Sequence, residues 1–223
     1  MSTTNYTFFK DTRNSYILFD SEDNINNILM ESIINTHIFD KTLLINGTQL
    51  VFPTTNIYNL YDLIHDNPNN SNLSSYSFLL KMIYHLSIQL QYLIETNKKC
   101  YIGYFPKDIY IVNNEHFFCI NKNLLLDIQD HNILINNPFE TQDFYYAPEI
   151  LNIKELPCCI DYRCSYYSLG LMVLYIMNPH TFTNDHSDCI DFLNHSHIIH
   201  TDLFFLIRRC LQLDPSRRSI LYM

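Results

Sequence analysis

The stretch Ser165-Tyr-Tyr-Ser-Leu-Gly-Leu-Met-Val-Leu-Tyr-Ile-Met177 constrains this chain more than any other. It is apolar nearly all round, long enough for about three helical turns and too short to span a bilayer. A helix without a polar face belongs at the centre of a soluble domain. Ser165 stands where a cap would open it, and Asn178-Pro179 ends it. The 223-residue chain, 47% hydrophobic and 14% aromatic, has ample material to bury such a helix in one domain or a small two-lobed one. Its formal charge of -9, without any dense basic run, argues against a nucleic-acid-binding surface. There is no signal-peptide pattern at the start and no stretch of membrane-spanning length. Seven cysteines, an odd number without regular spacing, fit reduced thiols. The expected setting is therefore intracellular, cytoplasmic or nuclear, with no membrane partner.

Ahead of the central helix the pattern alternates between strand and helix periods. Tyr6–Phe9 and Ser15–Phe19 read as two strands. A helix is expected from a cap at Asp23 to about Thr36, burying Ile25, Ile28, Leu29, Ile33 and Ile34. Leu43–Ile45 and Gln49–Phe52 flank Asn46-Gly47, a strong hairpin signal. A short helix at Asn59–Ile64 and a polar loop lead to a long helix over Tyr76–Glu95, with Leu79, Met82, Ile83, Leu86, Leu90 and Leu93 at helical spacing. A turn at Asn113-Asn114 precedes a strand over His116–Ile120, and the chain ends in a helix over Thr201–Leu213.

Two further spellings flank the central helix. Upstream stands Tyr145-Tyr-Ala-Pro-Glu149, and downstream Arg209-Cys-Leu-Gln-Leu-Asp-Pro-Ser-Arg-Arg-Ser-Ile220. In order, the three resemble landmarks of the protein-kinase large lobe: the A-P-E motif, the helix usually opened as D-x-W-S-L-G, and the closing C-L-x-x-D-P-x-x-R. The resemblance covers about residues 50–220 well and 1–50 poorly. It implies an α+β, protein-kinase-like fold, with a rudimentary β-containing small lobe over residues 1–53 and a mainly α-helical large lobe over 54–223. It also implies a buried ion pair between Glu149 and Arg218 that ties one segment to the lobe.

The same resemblance gives positions at which phosphoryl transfer can be checked. That reaction needs a glycine loop over the phosphates, a lysine held by a helix carboxylate, an H-R-D aspartate as base, and an asparagine and a D-F-G aspartate on magnesium. The chain has three glycines, none near its start, so no G-x-G-x-x-G exists. If Tyr16-Ile-Leu-Phe19 matches V-A-I-K, Phe19 replaces the lysine; the other register, Thr7-Phe-Phe-Lys10, keeps Lys10 as the nucleotide-binding cation, with Glu31 as its carboxylate. Pro106 matches the proline of H-R-D-L-K-P-x-N, which sets Tyr101-Ile102-Gly103 over H-R-D and Asp108 over the asparagine. Gly103 has no side chain to accept a proton. Asn121-Lys122-Asn123 falls over D-F-G, so the metal positions carry Asp108 and Asn121, still one carboxylate and one amide oxygen. Asp127 and Asp130 come too late after the strand to serve instead. Ser165 stands where the family has an aspartate that braces the catalytic-loop backbone.

The expectation is a pseudokinase: no catalytic residue, no required cofactor, and a role as a protein-interaction or regulatory module that binds a kinase or a kinase substrate, as a mimic or inhibitor. The segment Asp185–His200 is the expected contact surface. Two alternatives stay open. One is a divergent active Ser/Thr kinase using Lys10 and Asp108; the other is a nucleotide-sensing protein that binds ATP, with magnesium at Asp108 and Asn121, without turnover. A zinc site among His180, His186, Cys189, His195, His197 and His200 is a further alternative, at spacings that match no familiar pattern.

Overall fold

A computed structural model of the chain describes residues 6–10, 14–19, 24–39, 44–45, 49–54, 56–66, 73–138, 145–179 and 181–220. Strands β1 (Tyr6–Lys10), β2 (Ser15–Phe19), β3 (Leu44–Ile45) and β4 (Gln49–Phe52) form one antiparallel sheet in the order β1-β2-β4-β3. Helix α1 (Asn24–Ile34) connects β2 to β3. It buries Leu29 and Ile33, with Ile25, Ile28 and Ile34 half-covered, and it also buries Met30, Asn26 and Ser32. The Asn46-Gly47 turn and the Asp23 cap lie outside the described residues.

Strand β5 (Ile57–Asn59) leads directly into helix α2 (Leu60–Asp66). Helix α3 (Tyr76–Asn97) runs longer than its apolar pattern. Ser75 caps its start by accepting the Phe78 N–H, and Lys98, at φ 52°, closes its end in the left-handed region. Next come β6 (Lys99–Tyr101), β7 (Ile109–Val112), β8 (His116–Cys119), β9 (Leu125–Gln129) and β10 (Asn132–Ile135). After them follow the one-turn helix α4 (Pro148–Leu151) and strand β11 (Cys158–Asp161). These strands build two more antiparallel sheets, β5-β7-β8 and β11-β10-β9-β6. The β9–β10 hairpin and β11 were not expected from the sequence. The hairpin closes through Asp130 and His131, both at positive φ, a two-residue turn spelled without glycine. Along β11, Cys158 is half-buried and Cys159 exposed, whereas Cys164 just beyond it is buried.

Helices α5 (Cys164–Met177), α6 (His186–Asn194) and α7 (Asp202–Cys210) complete the chain. Every residue of α5 from Tyr167 to Ile176 is buried, the outcome its all-round apolarity requires. Each fully buried leucine there contributes about 1.5–3 kcal/mol relative to exposure. A Cβ on Gly170 would come within 3.1 Å of Cys210 Cβ, so this glycine sets how closely α5 and α7 approach. Ser165 is not the cap of α5. The helix opens one residue earlier, with Arg163 at the cap position and no side-chain cap bond. The Ser165 hydroxyl turns inward instead and donates to the carbonyls of Tyr162, at 2.9 Å, and Tyr101.

The core is one contiguous cluster running from Ile17 through α3 and α5 to Leu211. Phe52 and Phe118 stack at 5.2 Å, and Phe39 meets both edge-on, joining the first sheet to the β5-β7-β8 sheet. Gln89 on α3 is fully buried and acts like an extra strand edge. Its amide donates to the Cys119 carbonyl at 3.0 Å and to Ser32 Oγ at 3.1 Å, while its oxygen accepts the Cys119 N–H at 2.8 Å. No helix among the described residues is long and apolar enough to cross a membrane. The fold class is thus mixed α+β with antiparallel sheets.

Candidate functional site

The loop from Tyr101 to Asp108 lies over the N-terminal half of α5, and two serines hold it there. Ser165 donates to the Tyr101 carbonyl, and Ser168 Oγ accepts the Tyr104 N–H at 2.7 Å. Both serines are fully buried on one face of α5. Pro106 opens a 3-10 turn that ends at Asp108, where the Asp108 N–H donates to the Phe105 carbonyl. The Asp108 backbone carbonyl accepts the Ile120 N–H at 2.9 Å, which ties the loop to the end of β8.

Gly103 lies beneath the ring of Tyr146. A Cβ added to Gly103 would fall 2.8 and 2.9 Å from two ring carbons of Tyr146, closer than carbon atoms approach. Tyr146 is 2% exposed and meets Phe105 edge-on at 5.4 Å. Tyr145 extends the same aromatic layer to Phe105, Tyr175 and Phe182. The space into which any side chain at position 103 would grow is therefore filled by the residue next to Ala147.

Asp108 and Asn121 come together. Asp108 is 4% exposed, and its Oδ2 accepts the Asn121 amide N–H at 2.6 Å. The Asn121 amide oxygen points the other way and accepts the Asn123 N–H at 3.0 Å, capping the short turn that follows. The oxygen that a cation would require at Asn121 is thus engaged with backbone, and the amide group facing Asp108 is the donor end. Around this pair the potentially reactive groups are kept neutral. Burial pushes the Cys119 thiol well above its ordinary value, and the Asp108 carboxylate adds to that. The Tyr101 phenol is raised chiefly by burial too, and its hydroxyl donates to the Cys119 carbonyl at 3.0 Å. The Cys119 thiol and the Tyr101 phenol are therefore both protonated near neutral pH.

No family model and no curated protein matches the chain.

Arg218 and Glu149 form a two-pronged ion pair. The Arg218 side chain is 0% exposed and that of Glu149 23%. Nη1 bonds Glu149 Oε1, and Nη2 bonds Oε2 at 2.9 Å. The remaining donors are used as well: Nε to the Gln212 carbonyl at 2.7 Å, Nη2 to Leu213 at 3.1 Å and Nη1 to Arg163 at 3.3 Å. All five guanidinium N–H groups therefore have acceptors. The plane also lies over the Tyr167 ring, 4.9 Å from its centre. Next to it, burial raises the Asp161 carboxyl, but bonds from the Arg163 side chain and backbone outweigh this and hold it below its ordinary value.

Lys10 lies elsewhere, exposed at the end of the outermost strand β1 and paired in register with Ser15. Glu31 is exposed on α1, and among the described residues no ion pair joins the two. Asp127 is exposed on β9 and bonds Lys99 across the ladder, a pairing partner and not a member of the Asp108 group. Among the described residues no three His, Cys, Asp or Glu side chains gather closely enough to hold a metal; His180 lies outside them. Ser168, Gln89 and Tyr146 are the site residues that sequence reasoning missed.

Proposed function

We propose that the chain is a catalytically inactive protein-kinase-like protein that works as an interaction module. The observation that carries this reading is the Tyr146 ring on Gly103: the position matched to the catalytic base has no side chain and no room for one. Two further observations support it. The residues matched to the metal ligands satisfy each other, with the amide oxygen of Asn121 bonded to backbone. Meanwhile the groups matched to structural landmarks are fully bonded: Arg218 uses every donor, and Ser165 and Ser168 tether the 101–105 backbone. A scaffold with satisfied structural bonds and a filled reaction centre suits recognition of a partner protein better than turnover. The partner class in this reading is a protein kinase or a kinase substrate.

The test is transfer of radiolabelled γ-phosphate from ATP to generic protein acceptors, run beside an Asp108→Ala variant. The expected result is the same background level for both. Incorporation by the wild type that Asp108→Ala abolishes would overturn the reading, because it would make Asp108 part of a working site.

A further inference from the structure

The end of α5, residues 181–183 and helix α6 line an open cavity of about 380 Å³. Its floor is apolar, made by Leu174, Phe182, Cys189 and Phe192, and its rim carries the carboxylates of Asp188 and Asp191. The walls are held in shape. Phe182 stacks on Tyr145 at 5.9 Å and meets Tyr175 edge-on at 5.6 Å. The Thr183 hydroxyl donates to Asp188 at 3.0 Å, and the Cys189 thiol donates to the Thr183 carbonyl at 3.3 Å.

Histidines aside, the chain segment that lines this cavity carries formal charge of one sign. From Cys164 to Ile207 the chain has no lysine or arginine and four carboxylates, Asp185, Asp188, Asp191 and Asp202. The cations at either end of that run are committed elsewhere: Arg163 bonds Asp161, and Arg208 lies over the Phe204 ring. At the rim, the group facing Asp191 is His195, 3.4 Å away, with both side chains 77% exposed. An apolar, aromatic-floored cavity with an acidic rim is complementary to a long basic side chain. Its methylene stem can lie along Leu174 and Cys189, its charged head can face the phenyl rings, and its hydrogen-bond donors can reach the carboxylates. A guanidinium satisfies all three better than an ammonium.

We infer that this cavity receives an arginine side chain, flanked by an apolar residue, from a partner protein. The inference rests on the interaction-module reading and names the chemistry of the contact. Its probe is a short fluorescein-labelled peptide alternating arginine and leucine, with a glutamate–leucine peptide as counterpart, followed by fluorescence anisotropy on the full chain. Three proteins are compared: wild type, Asp188→Asn with Asp191→Asn, and Asp130→Asn with Glu155→Gln, which removes two exposed charges elsewhere. The arginine peptide binds the wild type, the glutamate peptide does not, and the rim variant loses about fivefold to tenfold in affinity, the scale of two exposed ion pairs. The control variant stays within twofold, about 0.4 kcal/mol. Equal loss in both variants, no loss in either, or no binding by the wild type overturns the inference. The phosphotransfer assay separates the two levels. Phosphotransfer with intact peptide binding removes only the inactive-kinase reading; silence in both assays removes only this contact.

Discussion

Replacing Arg218 by alanine removes a buried side chain that makes five hydrogen bonds. The substitution leaves Glu149 without either prong of its ion pair and takes the donor from the carbonyls of Gln212, Leu213 and Arg163. It also opens space beneath the Tyr167 ring. Breaking a buried ion pair from one side costs about 3–5 kcal/mol. Glu149 keeps 23% of its side chain in water, which lets solvent take up part of the stranded charge and sets the expectation at the low end, about 3 kcal/mol. For a chain of this size that corresponds to a fall in Tm of roughly 6–12 °C. Arg218→Lys recovers only part of this, because three donors on a point charge cannot reach five acceptors in a planar fork. Glu149→Leu combined with Arg218→Met costs less than the two single changes added, since no charge is left buried alone. Urea unfolding of the five variants (the two single changes of the pair included), with unchanged m-values, is the assay. An Arg218→Ala protein within 1 kcal/mol of wild type, a bound set against the ~3 kcal/mol expected, would refute the claim that this pair fastens residues 145–151 to the rest of the domain.

Gly103→Ala forces a methyl into the Tyr146 ring and costs about 1–3 kcal/mol; in a Tyr146→Ala background the same change costs less, and a double-mutant cycle without coupling would contradict the contact. Asn121→Asp sets a second carboxylate against Asp108 in place of a donor at 2.6 Å, and denaturant unfolding is expected to report a loss of about 1–3 kcal/mol; an undamaged variant would show that the pair does not hold. His85 accepts the Phe117 N–H at Nδ1, and burial, helped by His116 and Lys81, pushes its pKa down to about 4. The unfolded chain therefore binds the proton first, so stability is full above about pH 6.5 and declines as pH falls toward 4. His85→Gln keeps an acceptor and flattens that slope; equal slopes in the two proteins would remove His85 as its source.

Elements with a strong local period were legible in the sequence. Helices α1, α3 and α5 and strands β1, β2, β4 and β8 fall within a few residues of where their apolar spacing puts them. The β9–β10 hairpin was missed because its turn, Asp130-His131, lacks the glycine that usually marks the type. Ser165 misled because a serine before an apolar helix usually caps it, whereas here its hydroxyl serves a carbonyl from a different part of the chain. That Gly103 offers no side chain could be read directly, but the ring that fills the space beside it could not, since contact between Gly103 and Tyr146 leaves no trace in local pattern. Gln89 was hidden for a similar reason: a glutamine among helix leucines looks solvated until its β8 partner is known. The Asp108–Asn121 pair was legible as two neighbouring polar groups, but which amide atom faces the carboxylate depends on the Asn123 N–H.

The central proposal, an inactive kinase-like scaffold, extends to a site that does not bind nucleotide. A thermal-shift titration with ATP, with and without magnesium, tests it most directly. A ligand that binds only the folded state must raise its Tm, by about 2.7 kcal/mol of stabilisation at about a hundred times its Kd. The account predicts no shift at millimolar ATP in either condition. A magnesium-dependent rise that Asp108→Ala abolishes would contradict it and make Asp108 and Asn121 a metal site after all.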